Sequence, residues 1–97
     1  MPNKRYLSGV RAERKLKAKL EAEGWIVFRT AGSHGFFDLI AVHPNTGQVR
    51  FMQVKSTKGN IKPLFQQFLA NLALPNYNHY TRELWVWKDA TWYNWSA

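Results

Sequence analysis

The pattern of apolar and turn residues predicts an α/β protein, a mixed β-sheet flanked by helices, in the order α-β-β-β-α-β-β. Three observations carry this. A helical stretch runs from Ser8 to Gly24. Two strand-like runs follow, joined by Pro44-Asn45-Thr46-Gly47. A second helical stretch then starts at Pro63 and leads into two short aromatic strands.

Ser8 is the expected N-cap of the first helix and Gly24 its C-terminal stop. The strand Trp25-Ile26-Val27-Phe28-Arg29-Thr30 comes directly after. Two further strands, about 36–43 and 48–55, flank the turn residues and form an antiparallel hairpin. Pro63 fits the first turn of the second helix. Leu64, Phe65, Phe68, Leu69 and Leu72 recur at helical spacing before Pro75 stops it. The last strands, Glu83 to Trp87 and Thr91 to Trp95, are separated by Lys88-Asp89-Ala90.

Composition narrows the function. At 97 residues the chain has the length of one domain, and 14 Lys and Arg against 6 Asp and Glu give a net charge of +8. Such a balance favours a polyanionic partner, nucleic acid before an anionic membrane. No run approaches the roughly 18 apolar residues of a spanning helix, and the N-terminal residues lack a signal-peptide core, so a cytoplasmic protein is expected, in the host cytoplasm if the chain is viral. Without cysteine there is no disulfide and no thiolate zinc site, and any metal must be held by oxygen or imidazole. His34, His43 and His79 are too scattered to argue for a zinc triad. Neither a nucleophilic triad nor a phosphate-cradling glycine loop is present, which argues against covalent catalysis.

The chemistry lies where polar side chains interrupt apolar faces. At 100° per residue, Glu13 falls about 60° from Leu16 and about 20° from Leu20, on the apolar stripe of the first helix. A carboxylate early in a helix also favours the helix dipole, which is the alternative account. By strand alternation Asp38 shares a face with Phe36, Ile40 and Val42, and Gln53 and Lys55 share one with Phe51. If the hairpin forms, Asp38 falls opposite the region of Gln53 to Lys55. A buried ionised group is costly unless paired or metal-bound, so this cluster reads either as an Asp-Lys pair within a sheet or as an Mg²⁺ site of oxygen ligands beside a lysine that orients water.

Glu13-Arg14, Phe28-Arg29-Thr30-Ala31-Gly32-Ser33, Asp38-Leu39-Ile40-Ala41 and Gln53-Val54-Lys55-Ser56-Thr57-Lys58 together resemble the archaeal-type Holliday junction resolvases, of the PD-(D/E)xK nuclease superfamily. The resemblance covers about residues 8–60. It implies a restriction-endonuclease-like fold, a single nuclease domain over residues 1–97, and a homodimer that binds four-way DNA junctions and nicks two opposed strands with Mg²⁺ or Mn²⁺. Under it, Glu13, Asp38, Gln53 and Lys55 are catalytic, and Glu13, Asp38, Gln53 and the Val54 carbonyl hold the metal. Arg14 and Arg29 lie near the phosphate, and Ser33 lies in the segment before the catalytic aspartate.

Gln53 departs from the family's usual glutamate. An amide still offers a carbonyl oxygen, but with one negative charge fewer. A natural Q-x-K variant, an engineered inactivating change and a lineage that binds without cutting are the three readings. Two further functions therefore stand beside junction resolution: a phage-type replication and repair nuclease that cuts flaps or duplex DNA, and a module that binds branched DNA without cleaving it.

Lys4, Arg5, Arg11, Arg14, Lys15, Lys17 and Lys19 crowd the first twenty residues, and Lys58 and Lys62 follow the catalytic lysine. They are expected to track phosphates, with Lys4, Arg5, Arg14, Arg29, Ser33 and Lys58 the DNA-binding set. Trp85, Trp87, Trp92, Tyr93 and Trp95 are read as packed residues, with stacking on unpaired bases the alternative. The resemblance places Phe65 and Phe68 near a subunit interface.

Overall fold

The computed structural model describes residues 4–30, 36–72 and 74–97, with side chains described from residue 9 onward. Helix α1 (Lys4–Ala22) leads into strands β1 (Ile26–Arg29), β2 (Leu39–Val42) and β3 (Val49–Ser56). Helix α2 (Lys62–Asn71) crosses to β4 (Tyr80–Lys88), and β5 (Thr91–Ser96) ends the order expected from the sequence.

Helix α1 starts four residues before Ser8, so Ser8 does not cap it. A serine and a glycine together cost a helix only about 1–1.5 kcal/mol, too little to stop one that continues on both sides. Its end is as expected. Gly24 adopts φ 97°, its amide donates to the Glu21 carbonyl (3.0 Å), and the Trp25 amide donates to the Leu20 carbonyl (3.1 Å). Pro63 sits in the first turn of α2, and the Lys62 amide donates to Asn60 Oδ1 (3.0 Å).

The five strands pair in the order β1-β2-β3-β4-β5. All pairings are antiparallel except β3 with β4, whose parallel register runs from Val49↔Tyr80 to Ser56↔Trp87. The parallel pair requires a crossover, and α2 supplies it. The β2–β3 hairpin closes through Gly47, at φ 74°, whose amide donates to the His43 carbonyl (2.9 Å).

Two cores lie on opposite faces of the sheet. Ala12, Leu16 and Leu20 of α1, four residues apart, pack on Val27, Leu39, Ala41, Met52, Val54 and Trp85. Phe68 of α2 packs on Leu84 and Val86, with Phe36, Phe65 and Trp95 around them. Phe68 has no exposed surface, so it packs inside the protein and cannot also form a subunit contact; Phe65 stacks on Trp95 at 5.0 Å. Leu69 lies 47% exposed, outside the apolar face on which its spacing puts it. Trp85 is buried, and Trp87 and Trp92 pack at the edge of the first core, so these aromatics are mainly structural.

Candidate active site

Strand β3 outruns its neighbour: β2 begins its ladder at Leu39↔Met52, while β3 continues to Ser56. Glu13, Asp38 and Arg29 meet at this fork on the α1 face, while Gln53 and Lys55 leave β3 on the opposite face. Asp38 enters it through an irregularity. Its amide donates to the Met52 carbonyl (2.8 Å), although the register partner of Met52 is Leu39. Two residues thus oppose one, which is a β-bulge, and a bulge re-aims the side chain it carries. Simple alternation puts Asp38 on the Ile40 face. Instead its Oδ2 accepts a hydrogen bond from the Val54 amide at 2.8 Å, and its carboxyl lies within electrostatic range of Glu13, Lys55 and Arg29.

That environment pushes the Asp38 pKa up. Burial is the main cause and the Glu13 carboxylate adds to it; the Val54 hydrogen bond, Lys55 and Arg29 oppose it. Glu13 sits half-buried on the sheet side of α1, as its helical position predicts, and accepts a hydrogen bond from Arg29 Nε at 2.8 Å. The ion pair is shielded, with the two side chains 21% and 18% exposed. Sequence reasoning missed it, having given Glu13 to a metal and Arg29 to a phosphate.

Gln53 and Lys55 approach from the other face. With Phe36, Leu64, Gln67 and Asn71 they line a hollow beside α2. Gln53 Nε2 donates to the Phe36 carbonyl at 3.2 Å, which leaves Oε1 as the amide atom able to meet a cation. Lys55 is exposed at the end of the strand.

The donor set is all oxygen and suits Mg²⁺ or Mn²⁺. Among the described residues no group of three or more His, Cys, Asp or Glu converges. Two carboxylates, Glu13 and Asp38, are the only acids of the predicted ligand set, so its other members, the Gln53 amide oxygen and the Val54 carbonyl, are neutral oxygens. A pair of carboxylates that raises the pKa of one member is the electrostatic setting a divalent cation relieves.

Arg14 is exposed on α1, and Lys58 is exposed just beyond β3. Lys4 and Arg5 lie in the first turn of α1, with side chains outside the described residues; Ser33 and His34 also lie outside them. No described helix is long and apolar enough to cross a membrane.

The sequence profile of the archaeal Holliday junction resolvase family matches residues 4–67, a stretch that contains Glu13, Asp38, Gln53 and Lys55. The fold is similar to the solved structure of a Holliday junction resolvase from the archaeal hyperthermophile Archaeoglobus fulgidus, with a TM-score of 0.60 at 19% identity, covering 92% of this chain and 72% of that one. No curated protein sequence matches the chain. With the profile spanning most of its length, including every position at the β2–β3 fork, the chain belongs to the archaeal Holliday junction resolvase family.

Proposed function

We propose that this chain is a structure-selective endonuclease that resolves four-way DNA junctions by metal-dependent, symmetric phosphodiester nicking. Membership of a resolvase family makes it a nuclease that acts on branched DNA. The observation that carries the finer reading is the fork itself, where Glu13, Arg29 and Lys55 come within electrostatic range of the Asp38 carboxyl group.

In this reading Glu13, Asp38, Gln53 Oε1 and the Val54 carbonyl hold one divalent cation. When bound, the cation supplies neutralisation of charge on the scissile phosphate. The Lys55 ammonium, exposed at the strand end, orients the attacking water. The water oxygen forms a bond to phosphorus in line as the bond to the leaving sugar oxygen breaks, giving a phosphate monoester and a hydroxyl. With Glu13 given to the cation, Arg29 would be free to bind a phosphate oxygen, and Arg14, Lys4, Arg5 and Lys58 would steer the backbone into the fork.

Two symmetric nicks need two sites, and a homodimer supplies them. The sheet face over β1 to β3 opposite α1 supports this: Ile26 and Phe28 are 49% and 56% exposed beside half-buried Ile40, Val42 and Phe51. That face takes the place of α2 as the candidate subunit contact.

One observation favours a second reading. Gln53 brings no charge and spends its amide nitrogen on Phe36, which fits a branched-DNA-binding module that does not cleave. Labelled four-way junctions, flaps, single strands and linear duplexes, incubated with Mg²⁺, Mn²⁺ or chelator, separate the readings. Paired nicks at opposed junction strands support resolution. Cleavage of flaps or duplex alone indicates a replication and repair nuclease, and binding without cleavage under either metal indicates the binding module.

A further inference from the structure

Beside the fork, on the α1 face of the sheet, Arg11, Arg14 and Lys15 wall an open groove of about 620 Å³, with Ser56 and Trp87 on the strand side. Ser56 and Trp87 are register partners on β3 and β4, and Ser56 directly follows Lys55. Along β3 the groove thus begins one residue past Lys55, a rise of some 3.3 Å, with the Ser56 side chain on the α1 face and that of Lys55 on the opposite one. Trp87 lies outside residues 4–67, so the matched family pattern does not include it.

The charges of the groove are distinctive. Five of the six acids of the chain are committed elsewhere: Glu21 to Lys17, Glu23 to Lys19, Glu13 to Arg29, Glu83 to Arg50, and Asp38 to the Val54 amide; the sixth, Asp89, is exposed in the β4–β5 turn. Among the described residues Arg11, Arg14 and Lys15 have no carboxylate partner. Instead Lys15 Nζ lies over the Trp87 ring, 4.6 Å from its centroid. An aromatic face held under a cation, rimmed by two guanidinium groups, matches a nucleobase and its flanking phosphates.

We propose that this groove is a nucleotide subsite: an unstacked base at the branch point stacks on Trp87, and Lys15 leaves the ring to pair with the adjoining phosphate. The subsite rests on the reading of the chain as a branched-DNA nuclease and adds base stacking to its recognition of the branch. Ring and ammonium exchange partners, so the cation stays satisfied in both states.

The test uses the intact protein in chelator, with fluorescence anisotropy of labelled junctions in which a single abasic nucleotide is walked outward from the branch point. Wild type should bind the junction less tightly at one position near the branch, by roughly 5- to 100-fold, the worth of one stacked base. Trp87→Leu should flatten that profile and Trp87→Phe should restore most of it. Lys15→Ala should weaken every junction alike and lower the salt slope by about 0.9. A flat profile for wild type overturns the subsite, as does a folded Trp87→Leu protein that keeps the position-specific loss. If Trp87→Leu fails to fold, the wild-type series still decides. A junction that is bound with a flat profile rejects the subsite alone; a protein that does not bind junctions in chelator and does not cut them when Mg²⁺ or Mn²⁺ is added rejects the underlying reading with it.

Discussion

Strand β3 carries an acid site at each end of its α1 face, and the two are set in opposite ways. At its start, Arg50 grips Glu83 with two hydrogen bonds, Nε to Oε2 and a terminal nitrogen to Oε1, both 2.8 Å. Thr81 and Trp85 Nε1 donate to the same carboxylate, and Arg50 lies 4.7 Å from the Trp25 ring. Burial alone would push the Glu83 pKa up, but the hydrogen bonds from Arg50, Thr81 and Trp85 outweigh it and hold the carboxyl below its ordinary value. At the far end Asp38 accepts from one backbone amide and faces another acid, and its pKa is raised. A buried carboxylate given every donor it can use supports the fold. One left short of donors is held ready for a positive partner that the chain itself does not supply.

If that contrast is right, the two acids fail differently. Asp38→Asn should cut metal-dependent junction cleavage on the order of 10³-fold, the scale for losing a group that stabilises transition-state charge. Its metal-free melting temperature should hold or rise, since the amide oxygen still accepts from Val54 and the unfavourable charge is gone. A clear loss of stability would mean that Asp38 is structural like Glu83. Glu83→Ala should cost about 3–5 kcal/mol in urea unfolding, because it strands Arg50 in a site where its side chain is only 15% exposed. Refolded protein at low temperature should still cut.

The acids also predict opposite pH responses of stability. Glu83, with a depressed folded pKa, stabilises the protein above its ordinary value of 4.5, and that contribution disappears as pH falls through the depressed value. Asp38, raised above 3.8, favours the fold while protonated and disfavours it as pH rises through the raised value. Thermal melts of Glu83→Gln should lose the acid-side decline, whereas those of Asp38→Asn should keep it.

The smallest expected effect concerns the amide at the fork. Gln53→Glu should tighten Mg²⁺ binding about tenfold in calorimetry and retain or raise cleavage. It also replaces a donor to the Phe36 carbonyl by an acceptor, so the metal-free protein should melt earlier and recover with metal. Loss of cleavage would count against Gln53 as a ligand.

Much of this was legible in the residues. Glu13 is placed by helical angle alone, and the hairpin that brings Asp38 to Val54 is written in Pro44-Asn45-Thr46-Gly47 and the runs beside it. The groove cations were legible too, in retrospect. Lys17 and Lys19 each have a glutamate four residues on, while Arg11, Arg14 and Lys15 have Lys15, Ala18 and Lys19 there. What alternation could not show is the bulge at Asp38, because a two-against-one pairing exists only once two strands meet.

The amino-acid order by itself determined the elements, the polyanionic partner class and the family positions, because periodicity, turn chemistry and net charge are local or additive properties. Tertiary structure alone decided who pairs with whom. It joined Glu13 to Arg29 across 16 residues and Arg50 to Glu83 across 33, and it brought Trp87 under Lys15. The reason is physical: desolvation and hydrogen bonding depend on the distances between groups, and the chain contour does not contain those distances until the sheet has closed.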